Sequence, residues 1–126
     1  FIELSASYND VQFTSSPGQG LINVSTAVAL PERREGGLPL PDAPQEPGGW
    51  CDAAGTLGAN SAGVAVFCSP TNPGHPSLWG AAATPVITAD CFGAQKGFML
   101  KKGESLPLVY RIFIHGKVSS DELKAR

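Results

Sequence analysis

Leu106-Pro107-Leu108-Val109-Tyr110-Arg111-Ile112-Phe113-Ile114-His115 is the stretch on which the fold turns. Leu106, Leu108, Tyr110, Ile112 and Ile114 recur at every second position. Val109, Arg111, Phe113 and His115 fall between them. A period of two puts alternate side chains on opposite faces, which is the signature of a strand and not of a helix. The spacing predicts that the even-numbered residues share one face and the odd-numbered residues the other. Upstream, Phe98 to Lys101 is also extended, and Lys102-Gly103-Glu104 supplies a turn, so the two segments are expected to form a hairpin.

The same period appears elsewhere. Ile2, Leu4, Ala6 and Tyr8 alternate with polar residues, and Val11 and Phe13 continue after the Asn9-Asp10 turn. Leu21 to Leu30 is rich in Val, Ile and Thr. Gly63-Val64-Ala65-Val66-Phe67 is continuously apolar, the pattern of a strand covered on both faces. Val86 to Ala89 reads as another strand, followed by a turn at Cys91-Phe92-Gly93. Ser119-Ser120-Asp121-Glu122 fits a capping box with room for a single helical turn. No apolar stripe at helical period is long enough for a bundle. The expected fold is all-β, an antiparallel β-sandwich in one domain spanning 1–126.

Punctuation comes from 15 glycines and 11 prolines among 126 residues. Five prolines lie between Pro31 and Gly49, which is therefore expected to be a long loop without strands. Ser69-Pro70-Thr71-Asn72-Pro73-Gly74-His75-Pro76 is a second proline-rich loop. Each proline restricts the residue before it, so this loop is expected to be stiff. The chain opens inside a strand pattern without an initiator Met, and the reading is of a carboxy-terminal portion of a larger sandwich.

Net charge is −2 with scattered charges, so no basic face for nucleic acid is expected. No apolar run approaches the roughly 18 residues of a membrane-spanning helix, and no membrane partner is expected. Cys51, Cys68 and Cys91 form an odd set without C-x-x-C spacing, read as small, partly buried side chains. His75 and His115 lie forty positions apart with no paired-ligand spacing, so neither metal nor cofactor is expected.

The blocks Trp50-Cys51-Asp52, Gly63-Val64-Ala65-Val66-Phe67, Pro70-Thr71-Asn72-Pro73-Gly74-His75-Pro76, Trp79, Cys91-Phe92-Gly93 and Leu106 to Gly116 occur in a fixed order. With the weaker Gly20 to Val24 block they resemble the methane oxygenase PmoA-like family, a soluble bacterial family distinct from the membrane methane monooxygenase subunit. The resemblance covers roughly residues 20 to 116. Its members typically carry Asp-His where this chain has Cys68 and Ser69, Arg at Gly74, and His at Gly80. If those side chains form a site in the family, the resemblance implies an altered or impaired activity here.

The candidate catalytic residues are Asp52, His75, Arg111 and His115, and the candidate binding residues are Trp50, Asn72 and Trp79. Imidazole beside carboxylate can exchange protons near neutral pH. Arginine can clamp a carboxylate. Indole suits the apolar face of a sugar ring, with amide and carboxylate satisfying hydroxyls. Each has a plainer role: His75 in loop packing, His115 facing solvent or bonding a turn, Asp52 capping a turn. Arg111 can be a paired structural charge, the tryptophans can be core, and Asn72 can simply fix its turn. Two readings stand side by side. One is a carbohydrate-related enzyme around the proline-rich loop. The other is a non-catalytic glycan- or protein-binding module on the same scaffold. The ligand would be a sugar or small molecule, and compartment and oligomeric state leave no mark in these residues.

Overall fold

The computed structural model describes residues 1–14, 21–25, 32–35, 38–39, 47–80, 86–90, 92 and 97–125. The described residues form antiparallel strands and one short helix, so the fold is all-β. The strands are β1 (Ile2–Ser5), β2 (Val11–Phe13), β3 (Ile22–Ser25), β4 (Glu32–Glu35), β5 (Leu38–Pro39), β6 (Pro47–Gly48) and β7 (Trp50–Leu57). They continue with β8 (Asn60–Cys68), β9 (Ser77–Gly80), β10 (Val86–Asp90), β11 (Phe98–Leu100), β12 (Ser105–Leu108) and β13 (Tyr110–His115). The helix α1 (Ser120–Lys124) follows.

A five-stranded sheet runs in the order β13-β8-β7-β4-β5, and a four-stranded sheet in the order β3-β10-β9-β6. β8 lies between β13 and β7 and is buried from Gly63 to Val66, as its unbroken apolar run requires. One face of the five-stranded sheet sets Cys51, Val64, Val66 and Cys68 against Trp79, Ile87 and Ala89 of the four-stranded sheet. The opposite face carries Trp50, Ala65, Phe67 and Phe113, covered by Leu123 of α1 and by Val118. Leu123 has no exposed surface, and burying such a side chain contributes about 1.5–3 kcal/mol. This anchors a five-residue helix that would not persist alone. Its capping box is complete: Ser119 Oγ accepts from the Glu122 amide, and the Glu122 carboxylate accepts from the Ser119 amide.

Two expectations are corrected. The region 31–49 is not strand-free, because β4, β5 and β6 lie in it. Glu32-Arg33-Arg34-Glu35 contains no proline, so β4 can pair with both β5 and β7. Pro39 and Pro47 sit on the edge strands β5 and β6, where a missing N–H costs no ladder bond on the open side.

The hairpin around Lys102-Gly103-Glu104 does not form. The turn is present, with Gly103 at φ 87° and the Glu104 amide donating to the Lys101 carbonyl at 2.9 Å. Its arms part, however: β11 pairs with β2 and β12 with β1. Asp10 ties the turn to the β2 side. It accepts from Lys101 Nζ at 2.9 Å and from the Lys102 amide at 2.8 Å. Those two bonds hold its carboxyl below the ordinary carboxylate range.

The two faces of residues 112–115 are buried unequally. Ile112 and Ile114 are 55% and 81% exposed, whereas Phe113 packs beneath α1 and His115 is buried. Both faces of this strand are apolar, so periodicity could not choose between them. The covering helix chose. A third cluster, built on Phe92 and Leu108, joins the β1–β12 and β2–β11 ribbons through stacked Phe13, Phe92 and Phe98 rings.

Candidate functional site

Register places the candidate residues. Trp50 is opposite Phe67, and Phe67 is opposite Arg111, so these three share one row on the face that α1 partly covers. The next row is Asp52, Ala65 and Phe113, and the one after it is Ala54, Gly63 and His115. One sheet face thus divides into an outer end, bearing Trp50 and Arg111, and an inner part bearing Asp52 and His115.

In the inner part, His115 Nε2 lies 2.7 Å from Asp52 Oδ1, and both side chains are fully enclosed. His115 Nδ1 lies 2.6 Å from the Gly116 carbonyl oxygen. A carbonyl only accepts, so Nδ1 carries hydrogen. A single proton is then shared between Nε2 and the carboxylate. The hydrogen bonds at both ring nitrogens are what allow these two polar groups to sit away from water. The imidazole crosses the sheet diagonally to reach Asp52, and small residues make the crossing possible. A Cβ built on Gly63 would stand 2.7 Å from His115 Nε2 and 2.9 Å from Nδ1, with Cε1 nearer still. Phe113 stacks against the same ring at a centroid distance of 5.4 Å. Asp52 and His115 are therefore neither a turn cap nor solvent-facing. They form a sealed pair that pins the strand end leading into α1.

At the outer end a cleft of about 360 Å³ is lined by Trp50, Phe67, Pro70, His75, Val109 and Arg111, together with Gly49, Cys68 and Ser69. Trp50 and Phe67 form its aromatic wall, with centroids 6.4 Å apart. Trp50 is 7% exposed, so most of its surface is packed within the protein. Arg111 is exposed. His75 contrasts with His115: its Nδ1 is buried without a hydrogen-bond partner. Of the four candidate catalytic residues, His75 and Arg111 meet in the cleft, whereas Asp52 and His115 do not line it.

Asn72 holds the cleft's loop in place. Its Nδ2 donates to the Val109 carbonyl at 2.8 Å, and its Oδ1 accepts from the Val109 amide at 2.7 Å, so the side chain imitates a paired strand residue. Its backbone carbonyl accepts from the His75 amide at 3.3 Å. The amide is thereby spent on the protein, and Asn72 is a positioning residue, not a ligand contact. Replacing it with Ala strands the Val109 N–H. We expect Asn72→Ala to cost about 2–3 kcal/mol in urea denaturation. Asn72→Asp is expected not to rescue it, since the second oxygen would face the Val109 carbonyl.

Trp79 has no exposed surface and belongs to the core between the two large sheets, which corrects its assignment as a binding residue. Cys51 and Cys68 are buried free thiols, and Cys91 lies outside the described residues. Cys68 Sγ accepts from Ser77 Oγ at 3.0 Å and from Asn72 Nδ2 at 3.3 Å, which ties β9 to the loop. The sequence reading passed over Gly63 and Phe67. The signal for Gly63 was its place on the same side as Ala65 in a strand of larger residues, a gap that a neighbouring ring fills.

Among the described residues, no helix is long and apolar enough to cross a membrane. A family model described as "Family of unknown function (DUF6807)" matches residues 2–126. No curated protein and no solved structure matches the chain.

Proposed function

For a chain that belongs to this family of unknown function, we propose that the cleft beside the 69–76 loop binds a carbohydrate, and that the domain is a glycan-binding module. The observation that carries the reading is the convergence of three distant segments on one cleft: the start of β7, the end of β8 with its stiff loop, and β13. They bring an aromatic wall, the Arg111 guanidinium and the unengaged His75 imidazole to one place. A volume of about 360 Å³ is at the small end for ligand pockets, which suits a single small ligand. Apolar walls with a few fixed polar groups are what a sugar ring requires. The resemblance to the PmoA-like family supports the same location, because its blocks at 50–52, 63–76 and 106–116 border this cleft.

Binding is favoured over catalysis because the Asp52–His115 pair is sealed beneath the sheet's covering layer and its hydrogen bonds are already made. The described lining of the cleft holds no carboxylate to serve as partner to His75. Glycoside hydrolysis in its usual form needs two.

The test is a panel of neutral and acidic mono- and disaccharides titrated into the protein, followed by NMR at the His75 ring and the Arg111 side chain. Both sets of signals are expected to shift. His75→Ala is expected to weaken binding about five- to tenfold, the worth of one or two hydrogen bonds. Shifts confined to other surfaces would overturn the reading. Turnover of a bound sugar that depends on His75 would replace it with the enzymatic one.

A further inference from the structure

We infer that the ligand of this cleft is an acetylated sugar, whose acetyl carbonyl accepts a hydrogen bond from His75 Nε2. The inference rests on the proposed glycan-binding reading and specifies its substrate class.

His75 Nδ1 is enclosed and has no hydrogen-bond partner, so Nε2 is the nitrogen through which the ring can meet a ligand. In a neutral imidazole one nitrogen carries the hydrogen and the other accepts. A hydrogen on Nδ1 would be a buried donor with nothing to receive it, and orphaned buried N–H groups are rarer in proteins than under-satisfied acceptors. The ring hydrogen therefore sits on Nε2, and His75 faces the cleft as a donor.

The rest of the described lining has few acceptors to offer. It contains neither Asp nor Glu. Ser69 Oγ is bonded to the Thr71 hydroxyl at 2.8 Å and accepts from the Thr71 amide at 3.2 Å. Cys68 Sγ accepts from Ser77 and Asn72. The Val109 carbonyl already takes the Ser69 amide and Asn72 Nδ2, and the Gly49 carbonyl takes the Cys68 amide. A guanidinium has no acceptor, so Arg111 does not alter this balance whatever it is bonded to.

A sugar hydroxyl bonded to His75 would bring its own hydrogen to a place with few groups to receive it. A carbonyl accepts and brings none. An acetyl group also ends in a methyl, and Trp50, Phe67, Pro70 and Val109 give the cleft apolar walls to cover it.

Calorimetric titration of the full chain with N-acetylglucosamine and N-acetylgalactosamine, beside glucose and galactose, tests this directly. 6-O-acetylglucose forms a further arm and separates an ester from an amide. At least one acetylated class is expected to bind about tenfold more tightly than its parent sugar, the worth of one hydrogen bond and a methyl contact. In His75→Phe, which keeps an aromatic ring and loses the donor, the difference is expected to fall below threefold while the fold persists by circular dichroism. In the unaltered protein, ring ¹⁵N shifts at neutral pH are expected to place the His75 hydrogen on Nε2. Parent sugars binding as tightly as both acetylated classes would overturn the inference and leave the glycan-binding reading standing. An acetyl preference that survives His75→Phe, or a ring hydrogen found on Nδ1, would overturn the assignment to His75. Failure of every sugar to bind would remove both readings.

Discussion

Gly63→Ala is expected to destabilise the fold by about 3 kcal/mol or more, an effect out of proportion to one added methyl group. The new Cβ would overlap the His115 ring, which cannot move aside freely. It is stacked on Phe113, bonded at Nδ1 to Gly116 and bonded at Nε2 to Asp52. Relieving the overlap therefore means breaking a buried pair, and losing one partner of such a pair costs about 3–5 kcal/mol. Equilibrium denaturation measures it. The decisive control is a His115→Ala background. There the overlap is gone, and Gly63→Ala is expected to be neutral or to stabilise by about 0.4–1 kcal/mol, because alanine restricts the unfolded chain. A Gly63→Ala cost that stays the same in both backgrounds would show that the glycine serves some other need.

The second large effect concerns the pair itself. Asp52→Ala is expected to cost about 3–5 kcal/mol, whereas Asp52→Asn is expected to cost about 1 kcal/mol. The hydrogen-bond inventory gives the reason. With Nδ1 donating to Gly116, a neutral His115 presents Nε2 as an acceptor, and an asparagine amide can donate to it in the same place. Alanine leaves the imidazole buried without that partner. Denaturation midpoints and the histidine ring ¹⁵N shifts should move together: in Asp52→Asn, His115 should show a neutral ring with hydrogen on Nδ1. A ring carrying hydrogen on Nε2 in that variant would contradict the expected donation from the asparagine amide to Nε2.

These two predictions concern stability, and the cleft predictions concern binding. Their separation follows from the sheet. Asp52 and His115 lie one and two register rows inward from the row of Trp50, Phe67 and Arg111, so variants of the inner pair act on the face beneath α1. Arg111 and His75 act at the open end.

How much of this was legible beforehand differs from residue to residue. The strands at Ile2–Ser5, Val11–Phe13 and Val86–Asp90, the apolar part of Asn60–Cys68 from Gly63 to Phe67, and the capping box at Ser119 are written locally. Alternation, turn residues and a side chain three positions from its partner need no knowledge of the rest of the chain. His75, Arg111 and Trp50 were legible as polar or aromatic residues in punctuated segments, and they do share a cleft. The role of Trp79 was not legible, because an indole destined for a core and one destined for a ligand have the same neighbours in sequence.

The sequence by itself thus determined that the chain forms strands and where several of them lie. Tertiary structure alone decided which strands pair and which face is inside. The turn at Lys102-Gly103-Glu104 reverses the chain whichever partners its arms take, and those partners, β1 and β2, lie about a hundred residues away. In β13 two apolar faces competed, and the arrival of Leu123 and Val118 buried Phe113 while Ile112 and Ile114 stayed in water. The physical reason is that backbone preference is a property of neighbours in the chain. Burial and proton sharing, by contrast, are properties of neighbours in space, and Asp52 met His115 only once 63 positions had been folded away between them.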